Sequence, residues 1–600
     1  MLILLKDAVN KNIIRPIDLY FAEFIEKKNN IIILVAACIS YESNQGHISL
    51  PIKYFQKNLF FSSSNKKFIK NILIILKKKI NWEDELLKHP SISYGLIPTP
   101  LVLYKKKIYL YKMWKAENNI FNYLLKNNIT NKINRKKLSI ILNNLFPSKR
   151  IDFQKIAVAN TLINNITFIF GGPGTGKTTT ILKIIIALIK NSKKILKIQL
   201  SAPTGNATTH LSEIINNNIF DIYLSQKEKK SLLFSPKTIH KLLAIHEISQ
   251  KSFFNQNNQL DLDVLIIDEI SMVDIFLMEK ILCAVSKNTK LIFIGDYNQL
   301  RPIESGSILR HIILNICNNS NRKNIINIEK ITGYKLCRNI TKKIEMLISC
   351  NICILKKNYR FKKKSGIHLL SNAIINKNMH IIQKVFNNTI DNVRFYNINS
   401  IQEYQNMIEK ISFQYIYFWK KIHKKNKIKE IIQAFQNHQT LCILNHGIFG
   451  INILNKKIEE NMHNKKIIKY LYINEEPWYI GKPILITKNN QYLNIFNGNI
   501  GITNINKYGI LQVSFLKEND TIHSIPVKIL KNYKTAWAIT IHKSQGSEFI
   551  NTTLIVPNIY SSFLNQDIIY TGVTRTKKNL NIFGNKDVFI KSILNKINEI

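Results

Sequence analysis

The stretch Phe168-Ile169-Phe170-Gly171-Gly172-Pro173-Gly174-Thr175-Gly176-Lys177-Thr178 constrains this chain more than any other. An apolar run, a glycine-rich turn and a helix start follow one another directly, in the pattern G-x-x-x-x-G-K-[ST]. Glycines let backbone N–H groups turn inward onto phosphate oxygens with no Cβ in the way. Gly171, Gly172, Pro173, Gly174, Thr175 and Gly176 therefore read as a phosphate cradle. In this pattern Lys177 carries a point charge to the β and γ phosphates and Thr178 offers its hydroxyl to Mg²⁺. A helix expected from Thr178 through Ile189 aims its N-terminal dipole at the same anion.

From Ile151 onward, short β-branched runs alternate with helix-length segments, the pattern of a parallel sheet covered by helices and hence of an α/β fold. The run Asp263-Val264-Leu265-Ile266-Ile267-Asp268-Glu269 is a buried-type strand ending in two acids, and such ends face the ligand at a parallel sheet's carboxyl edge. Asp268 suits the Mg²⁺ shell, and Glu269 suits orienting or deprotonating an attacking water. Asp274, shortly after, reads as structural. The next strand, Leu291 to Asp296, closes in Tyr297-Asn298-Gln299-Leu300, which puts the Gln299 amide within reach of the γ-phosphate or the water. Upstream of the cradle, Gln154 either reads an adenine edge with its paired donor and acceptor or is a surface residue.

Asn358-Tyr359-Arg360-Phe361 opens a second region of strand and helix alternation. There Tyr359 suits stacking on a base, and Arg360 suits the role of a finger reaching a γ-phosphate across a cleft. Between Trp478 and about Asn532, strands with Gly-Asn turns read as a small inserted β-barrel. The segment Ala536 to Phe549 then gathers Thr540, His542, Ser544, Gln545 and Gly546 at one strand-to-loop junction, groups that suit a sugar-phosphate backbone. Tyr570-Thr571-Gly572-Val573-Thr574-Arg575 offers Arg575 as a second finger.

With 600 residues the chain is too long for one core, and roughly 100–200 residues per domain gives three to five domains. Lys and Arg number 86 against 38 Asp and Glu, a net charge of +48 that points to a polyanionic partner bound in a salt-sensitive way. Lys, Asn and Ile are abundant everywhere, as A/T-biased codons would produce, and about half of the basic excess is put down to that drift. Seven scattered cysteines fit a reducing compartment, and the lone pair Cys350-Asn351-Ile352-Cys353 is weak evidence for zinc. Lys6 and Asp7 end the first apolar run, so no secretory signal is expected, and Ile31 to Ile39 is too short to span a bilayer and reads as core. Residues 1–145 carry no catalytic pattern. Within them Leu101–Tyr104 and Ile108–Tyr111 read as a hairpin of a half-buried sheet, followed by a helix from Met113.

Taken in order, Gly171-to-Thr178, Asp268-Glu269, Gly295-to-Leu300, Tyr359-Arg360, Thr540-to-Glu548 and Thr571-to-Arg575 resemble the motif series of the superfamily-one helicases. Ala202-Pro203-Thr204-Gly205, Thr238-Ile239-His240-Lys241-Leu242-Leu243, Phe496-Asn497-Gly498 and His542-to-Phe549 narrow the resemblance to the RecD family, the alpha subunits of exodeoxyribonuclease V. The resemblance implies two RecA-like parallel-sheet motor domains with ATP and Mg²⁺ between them. It further implies a barrel inserted in the second motor domain at about 480–532, and a mainly helical N-terminal docking domain. The expected divisions are 1–145, 146–345 and 346–600. The implied activity is ATP-dependent 5′-to-3′ helicase movement on DNA during double-strand-break processing, in a cytoplasmic heterotrimer with RecB and RecC whose nuclease site lies on another subunit. Pro203, Thr204, Thr238 and His240 join the Thr540–Gly546 group as implied DNA contacts. Asn206 stands where the family usually has a basic residue, which puts one phosphate contact in doubt. An ATPase-poor scaffold that clamps DNA, and an RNA-directed helicase of the same superfamily, are the alternatives.

Overall fold

Period-two alternation inside buried strands decides the first core. Ile169, Ile266, Ile292 and Ile294 point into one hydrophobic cluster, while their neighbours Phe168, Phe170, Leu265, Ile267 and Phe293 point into another. A strand covered on both faces reads as a continuous apolar run, which is why Ile166–Gly171 is buried throughout. In the computed structural model these strands form an all-parallel six-stranded sheet, in the order Ile352–Leu355, Ile166–Gly171, Lys290–Gly295, Val264–Ile267, Ile198–Ala202, Lys237–Thr238. The structure describes all residues except 63–65, 77–79, 128–133, 149, 220–234, 303–308, 310, 314–321, 337–347, 349–350, 360–364, 474–475, 491, 518–520, 562 and 596–600.

The second core is a five-stranded parallel sheet in the order Val393–Asn397, Thr576–Gly584, Phe549–Ile555, His438–Cys442, Ala538–Thr540. Its helix Gln566–Thr574 is buried along its whole length and faces the first core. At the N-terminus the helix Asn30–Asn44 holds the apolar run: every residue from Ile32 to Ile39 is buried, and the Asn29 side chain caps the helix at the Ile31 and Ile32 amides. Beside it lies a four-stranded sheet containing the expected hairpin. Lys105 and Lys106 both have positive φ and close a two-residue turn, so Lys107 joins the strand Lys107–Leu110 and the next helix starts at Tyr111, two residues before Met113. The α/β architecture with two parallel-sheet cores and a mainly helical N-terminal region is therefore the one the chain adopts.

Three expectations differ from what is observed. The helices Tyr111–Lys126 and Arg135–Leu145, assigned from sequence to a separate domain ending at 145, pack on opposite faces of the first sheet. Met113, Ile120 and Leu124 join Phe168 and Met278 on one face, and Leu138 and Leu142 join Ile184 and Ile185 on the other. Each helix has one apolar stripe, and the sheet supplies the surface that covers it. The strand Ile352–Leu355, assigned to a second core beginning at 346, pairs in parallel with the cradle strand from Ile352 opposite Phe168 to Leu355 opposite Gly171. A four-residue apolar run carries no mark of which sheet it will join. The insertion at about 480–532 is an antiparallel ladder of five strands, Ile522–Pro526, Leu511–Leu516, Ile500–Ile505, Pro483–Ile486 and Tyr533–Thr535. Its end strands are not paired with each other among the described residues, so it is an open sheet in place of the expected barrel. The three-residue strand Tyr533–Thr535 uses its pairing on Pro483–Ile486.

Candidate functional site

The cradle sits where the strand Ile166–Gly171 turns into the helix Lys177–Asn191, which begins one residue earlier than expected. Gly174 and Gly176 have φ of +76° and +77°. The positive φ favours glycine at 176, and a Cβ there would lie 2.3 Å from Gln154 Nε2 and have to displace that amide from the loop. Gln154 is buried and donates from Nε2 to the Thr175 and Gly176 carbonyls at 3.3 Å each, bracing the loop from below. It is thus no surface residue. Its helix Phe153–Ile163 is capped by Asp152, whose carboxylate accepts from the Gln154 amide. Thr175 Oγ1 donates to Gly172 O at 2.7 Å, and Lys177 Nζ donates to Gly171 O at 2.8 Å and Gly172 O at 3.3 Å. Thr178 is the second residue of the helix, beside Lys177.

The strand ends bring three carboxylates to this loop. Asp268 follows Val264–Ile267 and accepts from the Glu269 amide at 2.8 Å. Burial and the neighbouring Glu269 charge push its carboxyl up to about 7, against the pull of Lys177. Glu269 adopts a left-handed backbone, φ +52°, at the turn after this strand. Asp296, after Lys290–Gly295, is also buried, and burial raises its carboxyl while Lys177 lowers it. Its Oδ1 accepts from the Asn298 amide at 3.0 Å and its Oδ2 accepts from Gln299 Nε2 at 3.4 Å. Asp274 caps the helix Ile275–Ala284 by accepting from the Phe276 and Leu277 amides, the structural part that the sequence assigned to it.

Tyr359 reaches the cradle from the same sheet. Its amide donates to Gly174 O at 2.7 Å, Asn358 Nδ2 donates to Pro173 O at 2.8 Å, and the half-exposed ring lies 3.5 Å from the Cβ position of Gly176. The segment therefore does not cross the cleft, as its expected place in the second core required. Arg360, offered as a finger, lies outside the described residues.

What crosses is the helix Gln566–Thr574. The Tyr570 hydroxyl donates to Asp296 Oδ2 at 3.0 Å and lies 3.2 Å from the Cβ position of Gly172. Thr571 Oγ1 accepts from the Leu300 amide at 2.9 Å, and Asp567 stands 3.6 Å from Arg301. Arg575 follows directly at the C-cap, 3 % exposed, with Nη1 donating to Ser547 O at 3.2 Å. Its charge also holds down the Tyr570 phenol, which burial pushes up. No motif in the sequence assigns Tyr570 a role. Asp567, Tyr570 and Thr571 at spacing i, i+3, i+4 were the available signal for a helix face turned to the cleft.

The residues assigned to strand contact divide into two groups. Pro203 and Thr204 are half-buried at the start of the helix Gly205–Ile219, Thr238 caps Ile239–Leu242, and His240 is exposed on it. Gly546, φ +78°, sits so close that a Cβ there would meet Thr204 Oγ1 at 3.1 Å, and His542 is half-buried nearby in sequence. Thr540, Ser544 and Gln545 differ from expectation. All three are buried: Thr540 accepts from the Lys543 amide, Ser544 Oγ donates to Ile541 O, and Gln545 Nε2 donates across to Leu300 O. A tight 3-10 turn at His542–Ser544 folds these polar groups onto the backbone. Asn206 Nδ2 instead donates to Ser547 Oγ at 3.2 Å and Gly498 O at 3.4 Å, joining the first core to the second and to the inserted sheet. Lys241 Nζ lies 3.8 Å from the Phe496 ring centroid, and Lys543 Nζ donates to Asn497 Oδ1 at 2.9 Å.

A glycine-rich cradle in one parallel sheet, met by the Tyr570 helix of a second, defines a nucleotide-binding protein of the two-core kind. The AAA domain family matches residues 154–305, the RecBCD enzyme subunit RecD N-terminal domain matches 10–109, and the UvrD-like helicase C-terminal domain matches 535–583. The RecBCD enzyme subunit RecD of Buchnera aphidicola subsp. Acyrthosiphon pisum is 67% identical over the whole of both chains. The protein of that name from Haemophilus influenzae is 29% identical, covering 96% of this chain and 94% of its own. A solved structure of Pif1 helicases at forked duplex DNA matches with a TM-score of 0.36 at 16% identity, over 76% of this chain and 94% of that one. The chain belongs to the RecD family of RecBCD enzyme subunits.

Proposed function

We propose that this chain is the ATP-dependent DNA helicase subunit of a RecBCD-type helicase-nuclease complex, moving 5′ to 3′ on one strand of a broken duplex end. The observation that supports this is the meeting of the cradle and its Asp296 with Tyr570 across the cleft between the two sheets. In this reading the backbone of Gly171 to Gly176 holds the phosphates, and Lys177 exchanges its two carbonyl partners for β and γ oxygens. Tyr359 flanks the base, Glu269 and Gln299 orient the water, and Arg575 faces the charge that develops on the transferred group. Asp268 fits a Mg²⁺ ion brought with the nucleotide: its carboxyl is raised by burial and by the adjacent Glu269, and a divalent cation relieves both causes. Thr178 is the second residue placed to hold that ion, which when bound neutralises phosphate charge. Strand contact rests on Pro203, Thr204, Thr238, His240, His542 and Gly546, with Lys241 and Lys543 beside them.

The partners are RecB and RecC in a heterotrimer and the ends of duplex DNA, and the site of action is the cytoplasm. No helix among the described residues is long and apolar enough to cross a membrane. The test is ATP turnover by the assembled complex, with and without single-stranded DNA. Lys177→Gln is expected to abolish the strand-stimulated rate contributed by this chain while leaving assembly intact, and an undiminished rate refutes the assignment. A wild-type chain with no strand-stimulated rate identifies the ATPase-poor scaffold instead.

A further inference from the structure

The Asp296 carboxylate is shared between the two cores. Oδ2 accepts from Gln299 Nε2 on its own loop at 3.4 Å and from the Tyr570 hydroxyl of the second core at 3.0 Å, while Oδ1 is held by the Asn298 amide. Asp296, Gln299 and Tyr570 are 1 %, 4 % and 3 % exposed, so while the two cores are seated these bonds are shielded from competing water. A phenol-to-carboxylate bond in such surroundings is charge-assisted and directional. Tyr570 also lies against Gly172, where its oxygen occupies the space a side chain would need. The next residue, Thr571, accepts from the Leu300 amide and fixes the same loop at its far end.

We propose that Tyr570 is a positioning residue for hydrolysis: through Asp296 it sets the Gln299 amide, and it does so only while the second core is seated against the cradle. Closure of the cleft thereby becomes a condition for orienting the water, and nucleotide held in an open cleft is not hydrolysed. The inference rests on the ATPase reading above, and the two fail separately. If Lys177→Gln abolishes strand-stimulated turnover while Tyr570→Phe leaves it intact, only the present inference is lost.

The experiment is a double-variant cycle in the assembled complex, using Tyr570→Phe, Asp296→Asn and the pair, with thermal unfolding as a check on folding. Tyr570→Phe removes one oxygen atom and keeps the ring, so packing is preserved. It is expected to lower strand-stimulated kcat about tenfold with the KM for ATP within about twofold, the signature of an interaction realised in the transition state. Asp296→Asn leaves one neutral oxygen where the carboxylate accepts from the Asn298 amide, Gln299 Nε2 and the Tyr570 phenol, and so breaks the same link from the other end, with a comparable fall in kcat expected. The pair is expected to be no slower than the slower single variant, within about twofold, because both act through one contact. A Tyr570→Phe enzyme with kcat within twofold of wild type overturns the proposal. So does a raised KM at unchanged kcat, or a double variant whose defect is the product of the two single defects.

Discussion

Gly176 is the residue with least freedom in the site. Its φ of +77° strains any other residue, and a Cβ there, 2.3 Å from Gln154 Nε2, would push that amide off the loop it braces. Gly176→Ala is expected to raise the Kd for nucleotide about tenfold or more, the equivalent of roughly 1–3 kcal/mol of backbone strain. Titration with a fluorescent ATP analogue measures it, and an unchanged Kd would mean that the loop accommodates a side chain. At this scale the sequence is informative, because the cradle pattern names its residues one by one and Asp274, which reads as structural, caps a helix. Ser544 and Gln545 were not legible in the same way. A polar residue in a loop can face a ligand or its own backbone, and only the 3-10 turn at His542–Ser544 decides which.

At the scale of the element, the strand His438–Cys442, paired on both sides in the second sheet, carries a buried histidine whose ring burial pushes down to about 3. The unfolded chain binds a proton there below about pH 6.5, which the folded strand refuses until about pH 3. This contribution to stability is therefore complete above pH 6.5 and is lost as the pH falls through the window, at about 1.4 kcal/mol per pH unit. Between pH 7 and pH 5 the wild type is expected to lose roughly 2 kcal/mol more than His438→Gln in urea unfolding of this core. Parallel acid sensitivity in the two proteins would show that His438 takes up its proton without unfolding. Strand existence was legible from apolar runs, but pairing was not: nothing in Ile352–Leu355 marks it as a neighbour of the cradle strand, and nothing in Tyr533–Thr535 foretells an open ladder. Pairing is decided by which edge remains uncovered, a property of the assembled sheet.

For the whole molecule, the N-terminal region and the first core share one hydrophobic cluster, in which Ile48, Tyr109, Met113 and Ile120 lie with Phe168, Ile275 and Leu291. A division at residue 145 passes through that shared packing, so a chain lacking residues 1–145 is expected to leave the first sheet uncovered and to aggregate. Recovery of a soluble, cooperatively unfolding fragment by size exclusion and calorimetry would contradict this. The cleft between the two sheets is where sequence and structure meet most closely: the motif order announced two cores, and the contacts of Asp296, Leu300 and Arg301 with one helix face show how they touch. The central claim, that the second core completes the nucleotide site of the first, is tested most directly by strand-stimulated ATP turnover of the complex carrying Arg575→Gln. A fall in kcat of about a hundredfold or more with the KM for ATP within about threefold is expected, as removal of a transition-state cation requires. Turnover within twofold of wild type would contradict it.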